Sequence, residues 1–231
     1  MFIQQILHKP ELSKADIVCL LNATGEDMEL LFNHAARIKQ QYIGNTVHLR
    51  ALVELSNSCE KDCYYCGIRK SNSNVHRYSI SENEVLEVIK YAYENSYGSV
   101  ALQSGEIQSN AFTEKITRIL QKTSKLTHGE LGVTLSCGEQ TEETYRKWME
   151  AGASRYLLRI ETSNPELYRK LHPNDDIHRF ERRLEALEML KKTGYQTGTG
   201  VMIGLPFQTF ENLADDLLFM KQFDIDMCGM G

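Results

Sequence analysis

The stretch Cys59-Glu60-Lys61-Asp62-Cys63-Tyr64-Tyr65-Cys66-Gly67 places three cysteines in one short loop, with the spacing CxxxCxxC. Iron–sulfur clusters are held by cysteine thiolates, usually four of them. Three cysteines would therefore leave one iron of a 4Fe-4S cube without a protein ligand and open to a small molecule. We predict that Cys59, Cys63 and Cys66 bind such a cluster.

Other interpretations of these cysteines fit the sequence less well. A structural zinc site uses similar spacings but needs four ligands, and no second Cys or His pair follows at a suitable interval. The last two cysteines alone resemble a thioredoxin-like redox pair, but the first would then have no role. A disulfide framework is not expected in a chain of 231 residues without a secretory signal. Cys19, Cys137 and Cys228 stand singly among apolar residues, and we assign them no metal role.

The composition limits the class of protein. With 231 residues, of which 42% are hydrophobic, the chain is long enough for one domain or slightly more. A net charge of -5 argues against a nucleic-acid partner that is bound through its phosphates. No apolar run approaches the ~18 residues of a membrane-spanning helix. We therefore predict a soluble cytoplasmic protein with no membrane partner, in the compartment where thiols and iron–sulfur clusters survive.

Strand and helix patterns alternate along most of the chain. Two helices are predicted before the cysteine loop, at about 13–22 and 27–42, followed by an extended run at 48–55. Ser81, Thr141 and Asn164 are predicted helix N-caps. The later strands are predicted at 100–103, 131–136, 155–160, 196–203 and 226–230, and the later helices at 81–95, 112–122, 141–152, 180–192 and 209–222.

Repeated βα units predict a parallel sheet that right-handed crossovers curl into a barrel. We expect an α/β fold, a (β/α) barrel reduced to about six βα units, with an N-terminal helical segment at 1–46 and the partial barrel at 47–231. A full eight-stranded barrel takes ~250 residues, so either the chain is truncated or the barrel is naturally open. A flavodoxin-like open sheet is the competing fold, but its first loop would cradle phosphate rather than offer thiols.

Polar residues are concentrated at the predicted carboxyl ends of the strands, where barrels of this kind have their active sites. These ends carry the cysteine loop, Gln103-Ser104-Gly105-Glu106, Ser136-Cys137-Gly138-Glu139, Arg159-Ile160-Glu161 and Gly200-Val201-Met202. An unpaired carboxylate on an apolar strand would cost several kcal/mol, so a functional role is favoured for Glu161.

Two of these positions keep alternative interpretations. Arg159 shares a strand face with Glu161, and it is either the structural partner of that carboxylate or a contact to an anionic substrate. Thr134 and Ser136 also share a face that we expect to line a cavity, although serine is common at strand ends.

Several segments resemble the FeFe-hydrogenase maturase family HydE, in the biotin synthase-like group of radical SAM enzymes. They are His48-Leu-Arg-Ala-Leu-Val-Glu54, Cys63-Tyr-Tyr-Cys-Gly-Ile-Arg69, Leu102-Gln-Ser-Gly-Glu106, Arg155-Tyr-Leu-Leu-Arg-Ile-Glu-Thr-Ser-Asn-Pro165 and Met202-Ile-Gly-Leu-Pro-Phe-Gln-Thr209. The resemblance covers almost the whole chain. The cysteine motif alone is typical of all radical SAM enzymes, whereas the Arg-Ile-Glu and Gln-Ser-Gly-Glu segments are more specific.

The resemblance implies a radical SAM barrel with a 4Fe-4S cluster and S-adenosylmethionine (SAM). It puts Ser104-Gly105-Glu106 near the SAM ammonium group, Glu161 near the ribose hydroxyls or the ammonium, and Arg183 at the carboxylate. Tyr65 and Met202 would flank the adenine. Arg183 has the alternative of a solvated helix face, and Met202 that of a core residue. The predicted cofactor-binding residues are Tyr65, Gln103, Ser104, Gly105, Glu106, Ser136, Arg159, Glu161, Arg183 and Met202.

The activity implied by the resemblance is reductive cleavage of SAM to methionine and a 5′-deoxyadenosyl radical. In HydE-like enzymes this radical acts on a small iron–cysteine complex that carries carbonyl and cyanide, on the way to the hydrogenase diiron centre. The implied partners are this organometallic substrate, a reductant such as ferredoxin or flavodoxin, and other hydrogenase maturases. Methylornithine synthase and biotin synthase are alternatives in the same group. An iron–sulfur scaffold or electron carrier is the alternative of another class, and it predicts no SAM-binding residues at the strand ends.

Overall fold

In the computed structural model, which describes residues 2–231, the six strands of the sheet run parallel and lie side by side in chain order. The strands are β1 (Arg50–Ser56), β2 (Ser99–Ser104), β3 (Gly132–Ser136), β4 (Arg155–Leu157), β5 (Gln196–Val201) and β6 (Met227–Met230). Each strand is joined to the next by a crossover that contains a helix, as parallel pairing requires. The predicted α/β fold is confirmed.

The two edge strands face each other across the interior of the sheet. Within residues 2–231, backbone hydrogen bonds do not pair β1 with β6. Nη1 of Arg50 on β1 nevertheless lies 3.9 Å from Sδ of Met227 on β6. The sheet therefore curls until its edges come within reach of side chains, and it forms a partial barrel.

Helices flank the sheet, and several begin at the predicted caps. They are α1 (Phe2–Leu7), α2 (Lys14–Leu21), α3 (Gly25–Tyr42), α4 (Glu82–Glu94), α5 (Asn110–Leu126), α6 (Glu142–Glu150), α7 (Pro165–Leu171), α8 (Phe180–Thr193) and α9 (Phe210–Gln222). Ser81 and Glu84 form the predicted capping box of α4. Asn164 caps α7, with Pro165 at its first position. No helix in residues 2–231 is both long and apolar enough to cross a bilayer.

The structure contains a helix that the sequence pattern does not predict. Helix α1 is six residues long, and isolated helices of that length are unstable in water. Ile3 and Ile6 are buried against Leu20 of α2. Tertiary packing therefore stabilises α1.

Strand β4 is shorter than the predicted strand 155–160. It ends at Leu157 because the ladder to β5 becomes irregular. The N–H of Ile160 donates to the Thr199 hydroxyl, 3.0 Å away, and not to a backbone carbonyl. Glu161 then adopts a left-handed φ of 65°. The chain thus leaves the strand geometry just where the predicted functional carboxylate stands.

The main core lies between the outer face of the sheet and helices α4 to α9. On β1, Val53 and Leu55 point into this core, whereas Leu52 and Glu54, which alternate with them, are exposed toward the barrel interior. This alternation follows from the two-residue period of a strand. The interior of the partial barrel is therefore lined in part by polar side chains, which sets the position of the candidate site.

The N-terminal helices contact the barrel through α2, which packs against α9. Lys14 of α2 lies 2.6 Å from Asp215 of α9. Helix α3 has an apolar stripe but contains no buried residue. The division between residues 46 and 47 stays a prediction, and Met1 lies outside the described residues.

Candidate functional site

The carboxyl ends of strands β1 to β4 open onto one cavity of about 360 Å³. All three motif cysteines line it, and so does every predicted cofactor-binding residue except Met202. Met202 packs instead with Tyr65 against Leu167, Leu171 and Leu205, at the side of the cavity. Ser136 lines the cavity, whereas Thr134, predicted on the same face, is buried outside it. The structure thus brings together residues that are far apart in the sequence.

Burial favours the protonated form of two thiols in the cysteine loop, those of Cys59 and Cys63. Burial raises the pKa of Cys59, and it raises the pKa of Cys63 to about 11. A metal that binds these thiols has to displace their protons. Within residues 2–231, no three His, Cys, Asp or Glu side chains lie close enough to hold a single metal ion. The three thiols are therefore spaced more widely than the ligands of a mononuclear site.

Gly105 lets the cysteine loop lie directly on the end of β2. A Cβ atom at this position would be 2.2 Å from the Ser58 carbonyl oxygen and 2.8 Å from Cβ of Cys59. The Gly105 N–H donates to the Ser56 carbonyl, 3.1 Å away. The N–H of Glu106 donates to Sγ of Cys59 over 3.4 Å. Only glycine allows this approach between the turn and the first cysteine.

A buried group of charged side chains lies behind the cysteines. The Glu139 carboxylate lies 2.9 Å from Nζ of Lys61, 2.6 Å from Nε of Arg183 and 3.1 Å from Nε of Arg182. Lys61 also lies 3.3 Å from Glu106. Burial alone would raise the pKa of Glu139, but the charges of Arg183 and Lys61 outweigh it and lower that pKa. Burial and the charge of Glu139 raise the pKa of Glu106.

Arg183 is buried and is not part of a solvated helix face. It is 7% exposed and lies on the inner side of α8. Besides the bond from Nε to Glu139, its Nη1 donates to the Arg159 carbonyl over 2.5 Å. These contacts fix the guanidinium at the edge of the cavity.

Glu161 places a carboxylate with an unused acceptor in the cavity. Its side chain is buried, and its Oε2 lies 3.3 Å from Nε of Arg159 without forming a hydrogen bond. In the described part of the chain, neither of these two atoms has another hydrogen-bond partner. Burial raises the pKa of Glu161, and the charges of Arg159 and Arg183 offset this only in part. The pair is arranged to contact a polar ligand.

The left-handed backbone of Glu161 is held by a contact from α9. Oδ1 of buried Asp216 accepts hydrogen bonds from the N–H of Ser163 over 2.5 Å and from its hydroxyl over 2.7 Å. The hydroxyl of Thr162 donates to the same oxygen over 3.3 Å. The N–H of Glu161 also donates to the Gly200 carbonyl over 3.0 Å, and its carbonyl accepts from the N–H of Met202 over 3.0 Å. A non-glycine residue at positive φ costs about 1 to 2 kcal/mol, so these bonds and the Asp216 contact together hold a conformation that is unfavourable by itself.

Sequence reasoning missed most of the residues that hold the site together. Lys61 lies in the cysteine loop and Glu139 at the predicted end of a strand, but the pairing of the two side chains spans 78 residues. Asp216 carried no local signal, because its hydrogen bonds with Thr162 and Ser163 span 54 and 53 residues.

The comparisons with known proteins agree with this geometry. The Radical SAM superfamily model matches residues 53–220. The [FeFe] hydrogenase maturase subunit HydE of Thermotoga maritima is 46% identical over 203 residues, which are 88% of this chain and 56% of that protein. The structure of methylornithine synthase (PylB) has a TM-score of 0.88 and 26% identity, and the match covers 100% of this chain and 67% of that one.

The FeFe-hydrogenase maturase HydG from Carboxydothermus hydrogenoformans has a TM-score of 0.81 and 25% identity, over 99% of this chain and 55% of that one. The chain therefore spans about half to two thirds of the length of these relatives. Because the superfamily model matches more than half of the sequence, the chain belongs to the radical SAM superfamily of enzymes.

Proposed function

We propose that this chain binds a 4Fe-4S cluster and SAM in the cavity at the strand ends, cleaves SAM reductively, and acts in the maturation of FeFe-hydrogenase. One observation carries the proposal. The three thiols of the cysteine loop open onto the same cavity as Glu161 and Arg159, whose facing polar atoms have no hydrogen-bond partner in the described chain.

The donor set fits a four-iron cluster with one open iron. Three cysteines line the cavity, and no other cysteine of the described chain does. Cys137 is fully buried elsewhere, with Sγ 3.8 Å from the Leu102 carbonyl, and burial raises its pKa to about 12. Cysteine thiolates are the ligands such clusters require. Cys59, Cys63 and Cys66 would hold the cluster.

The polar groups around the cavity fit the other end of SAM. Glu161 would accept hydrogen bonds from the ribose hydroxyls or the ammonium group, and the turn at Ser104 and Gly105 would offer backbone carbonyls to the ammonium. Arg183 uses Nε and Nη1 within the protein, so its remaining donors would meet the SAM carboxylate. Tyr65 would contribute to the wall beside the adenine.

Held by Cys59, Cys63 and Cys66, a reduced cluster would supply the electron for cleavage of SAM at its S–C5′ bond, to methionine and a 5′-deoxyadenosyl radical. The residues of this chain orient SAM for that step. Arg183 and Glu161 fix its two polar ends, and the buried Lys61–Glu139 pair keeps the cysteine loop against the strand ends.

A role in hydrogenase maturation is supported by the 46% identity to a protein named [FeFe] hydrogenase maturase subunit HydE. The corresponding substrate would be a small iron–cysteine complex that carries carbonyl and cyanide. A ferredoxin or flavodoxin would supply electrons, and other hydrogenase maturases would be partners. Methylornithine synthase is the second candidate, because its structure matches the whole chain with a TM-score of 0.88, although at 26% identity.

The first experiment is low-temperature electron paramagnetic resonance on reduced, anaerobically reconstituted protein, with and without SAM. We expect a 4Fe-4S signal that changes when SAM is added. Cys63→Ala should abolish this signal, and the matched variant Cys137→Ala should keep it. A cluster signal that does not change when SAM is added would favour the scaffold or electron carrier. Equal loss of the signal in both cysteine variants would contradict the ligand assignment.

A second assay separates the two candidate substrates. Protein that shows the SAM-dependent signal is assayed for 5′-deoxyadenosine with a synthetic iron–cysteine carbonyl cyanide complex, and separately for formation of 3-methylornithine. We expect deoxyadenosine only with the iron complex. Formation of 3-methylornithine would favour the synthase.

A further inference from the structure

One arginine outside the cysteine motif is hydrogen-bonded to backbone on both sides of that motif. Nη1 of Arg77 donates to the carbonyl of Asn57 over 2.6 Å and to that of Ile68 over 2.8 Å. Its Nη2 donates to the carbonyl of Arg69 over 2.7 Å and to that of Asn72 over 3.2 Å. A single guanidinium group therefore donates hydrogen bonds to four carbonyls, one before the cysteine motif and three after it.

The segment 58–67, which contains all three motif cysteines, lies between the carbonyls that Arg77 holds. The side chain of Asn57, which directly precedes this segment, adds two hydrogen bonds to the residues on either side of Arg77. Its Nδ2 donates to the His76 carbonyl over 2.8 Å, and its Oδ1 accepts from the N–H of Tyr78 over 2.8 Å. Both ends of the cysteine segment are thus tied to the residues next to Arg77. Holding the ends of a loop together removes much of the entropy that the loop would lose on binding a ligand.

The chemistry of the side chain explains why an arginine is used here. A guanidinium group is planar, stays charged and carries five donors in a fixed fork. A lysine ammonium is a compact charge with three donors, so it cannot span carbonyls that lie on different sides of a loop. In residues 2–231, Arg77 forms no salt bridge. Its donors therefore serve the backbone of the loop and not a carboxylate.

Other contacts within the loop depend on this closure. The N–H of Glu60 donates to the Glu106 carbonyl over 2.8 Å, and the N–H of Tyr64 to the Leu171 carbonyl over 3.0 Å. The first bond requires the loop to lie against the end of β2, and the second requires it to lie against the end of α7. The rate at which these two amide hydrogens exchange with solvent therefore shows whether the loop is closed.

We propose that Arg77, with the support of Asn57, is a positioning residue that closes the cysteine loop before any cluster is bound, so that the three thiols are presented together to the cavity. The identity of the cluster rests on the proposed function. The closure is proposed for the chain without iron, and it is tested there.

The experiment compares hydrogen–deuterium exchange of residues 58–70 in iron-free wild-type protein, Arg77→Lys and Arg77→Gln. We expect exchange in this segment to be about tenfold faster in both variants, because each loses charge-assisted hydrogen bonds. Exchange of the strands and the midpoint of thermal unfolding should stay unchanged. Arg118→Lys, a change at an exposed arginine that pairs with Glu82, is the control and should behave as wild type.

Cluster retention is the second readout. Reconstituted Arg77→Lys protein should lose iron to a chelator about tenfold faster than wild type, although its charge is retained. If Arg77→Lys protects residues 58–70 and holds iron as well as wild type does, Arg77 acts through its charge alone and the proposal is wrong. Unchanged exchange in Arg77→Gln would overturn it as well.

Two further outcomes remain informative. If wild-type protein takes up no four-iron cluster, the proposed function fails, while exchange in the iron-free chain still decides the closure. If the Arg77 variants do not fold, Asn57→Ala removes one side of the closure. Faster exchange of residues 58–70 in that variant would support the proposal, and unchanged exchange would overturn it.

Discussion

The ammonium group of Lys61, between the first two cysteines of the motif, lies 2.9 Å from the carboxylate of Glu139 at the end of β3. The two side chains are only 5% and 2% exposed. Lys61 also donates to the Ile177 carbonyl. This buried ion pair therefore ties the cysteine loop both to the sheet and to the segment before α8.

Lys61→Met should destabilise the protein. Loss of one partner from a buried ion pair costs about 3 to 5 kcal/mol, because the other charge stays buried. Glu139 keeps its two arginines, but Glu106 loses its one neighbouring ammonium group. We expect a loss of about 3 kcal/mol in the free energy of unfolding, measured by urea denaturation at neutral pH.

The control for this change is Lys90→Met. Lys90 pairs with Glu94 on the surface of α4, where the side chains are 60% and 59% exposed. An exposed pair of this kind contributes about 0.5 kcal/mol or less. Equal effects of the two substitutions would show that the buried pair does not hold the loop.

Glu161→Gln should stabilise the ligand-free protein increasingly as the pH rises. Burial raises the pKa of Glu161 in the folded protein above its unfolded value. The wild type therefore loses stability as the pH rises from about 4.3, the ordinary pKa of Glu, through the folded pKa. Glutamine does not ionise, so it avoids this loss. The difference in unfolding midpoint between variant and wild type should grow as the pH rises above about 4.3, and it should level off once the pH exceeds the raised pKa of folded Glu161.

The same substitution should weaken binding of SAM, because the ligand would lose a charged acceptor. Glu94→Gln, at an exposed position, controls for removal of one negative charge. A difference in midpoint that shrinks as the pH rises would contradict the assigned direction of the pKa of Glu161.

Gly105→Ala should displace the cysteine loop. The added Cβ would lie 2.2 Å from the Ser58 carbonyl oxygen, so backbone has to move. We expect iron content after reconstitution to fall by about half or more, with a cost of about 1 to 3 kcal/mol in unfolding free energy. Gly67→Ala is the matched control, since a Cβ there meets nothing within 4 Å. Full iron uptake by the Gly105 variant would contradict this prediction, because it would show that the cysteine loop can shift without losing its capacity to bind iron.

Much of the fold could be predicted because its signals are local. Ser81 with Glu84, and Asn164 with Pro165, start helices through hydrogen bonds and dihedral preferences within four residues. Helix α1 could not be predicted, because packing against α2 and α3 stabilises it. The early end of β4 depends on the hydroxyl of Thr199, 39 residues beyond Ile160.

Some residues of the candidate site could likewise be predicted from local sequence, whereas others depend on tertiary packing. The cysteines were predicted from their spacing, and Glu161 from the cost of burying a carboxylate. That the same cavity would receive Arg183 depends on how α8 packs, and a run of charged residues alone equally allows a solvated face. Asp216 accepts hydrogen bonds from residues more than 50 positions away. Arg77 donates to backbone carbonyls that lie 5 to 20 positions away, and backbone acceptors leave no pattern of side chains in the sequence.

Asp216→Ala should loosen the turn that carries Glu161. The carboxylate is fully buried and accepts hydrogen bonds from Ser163 and Thr162. Its removal leaves these donors unsatisfied, which costs about 2 to 4 kcal/mol in unfolding free energy and should weaken SAM binding about tenfold.

Asp216→Asn keeps the accepting oxygen and removes a buried charge, so it should stay within about 1 kcal/mol of wild type. The neighbouring change Asp215→Ala, which breaks the half-exposed pair with Lys14, should cost about 0.5 kcal/mol and leave SAM binding unchanged. Urea denaturation and equilibrium binding of SAM to reconstituted protein measure both effects. If Asp216→Ala lowers stability but leaves SAM affinity intact, Glu161 keeps its conformation without this contact, and the positioning role of Asp216 is wrong.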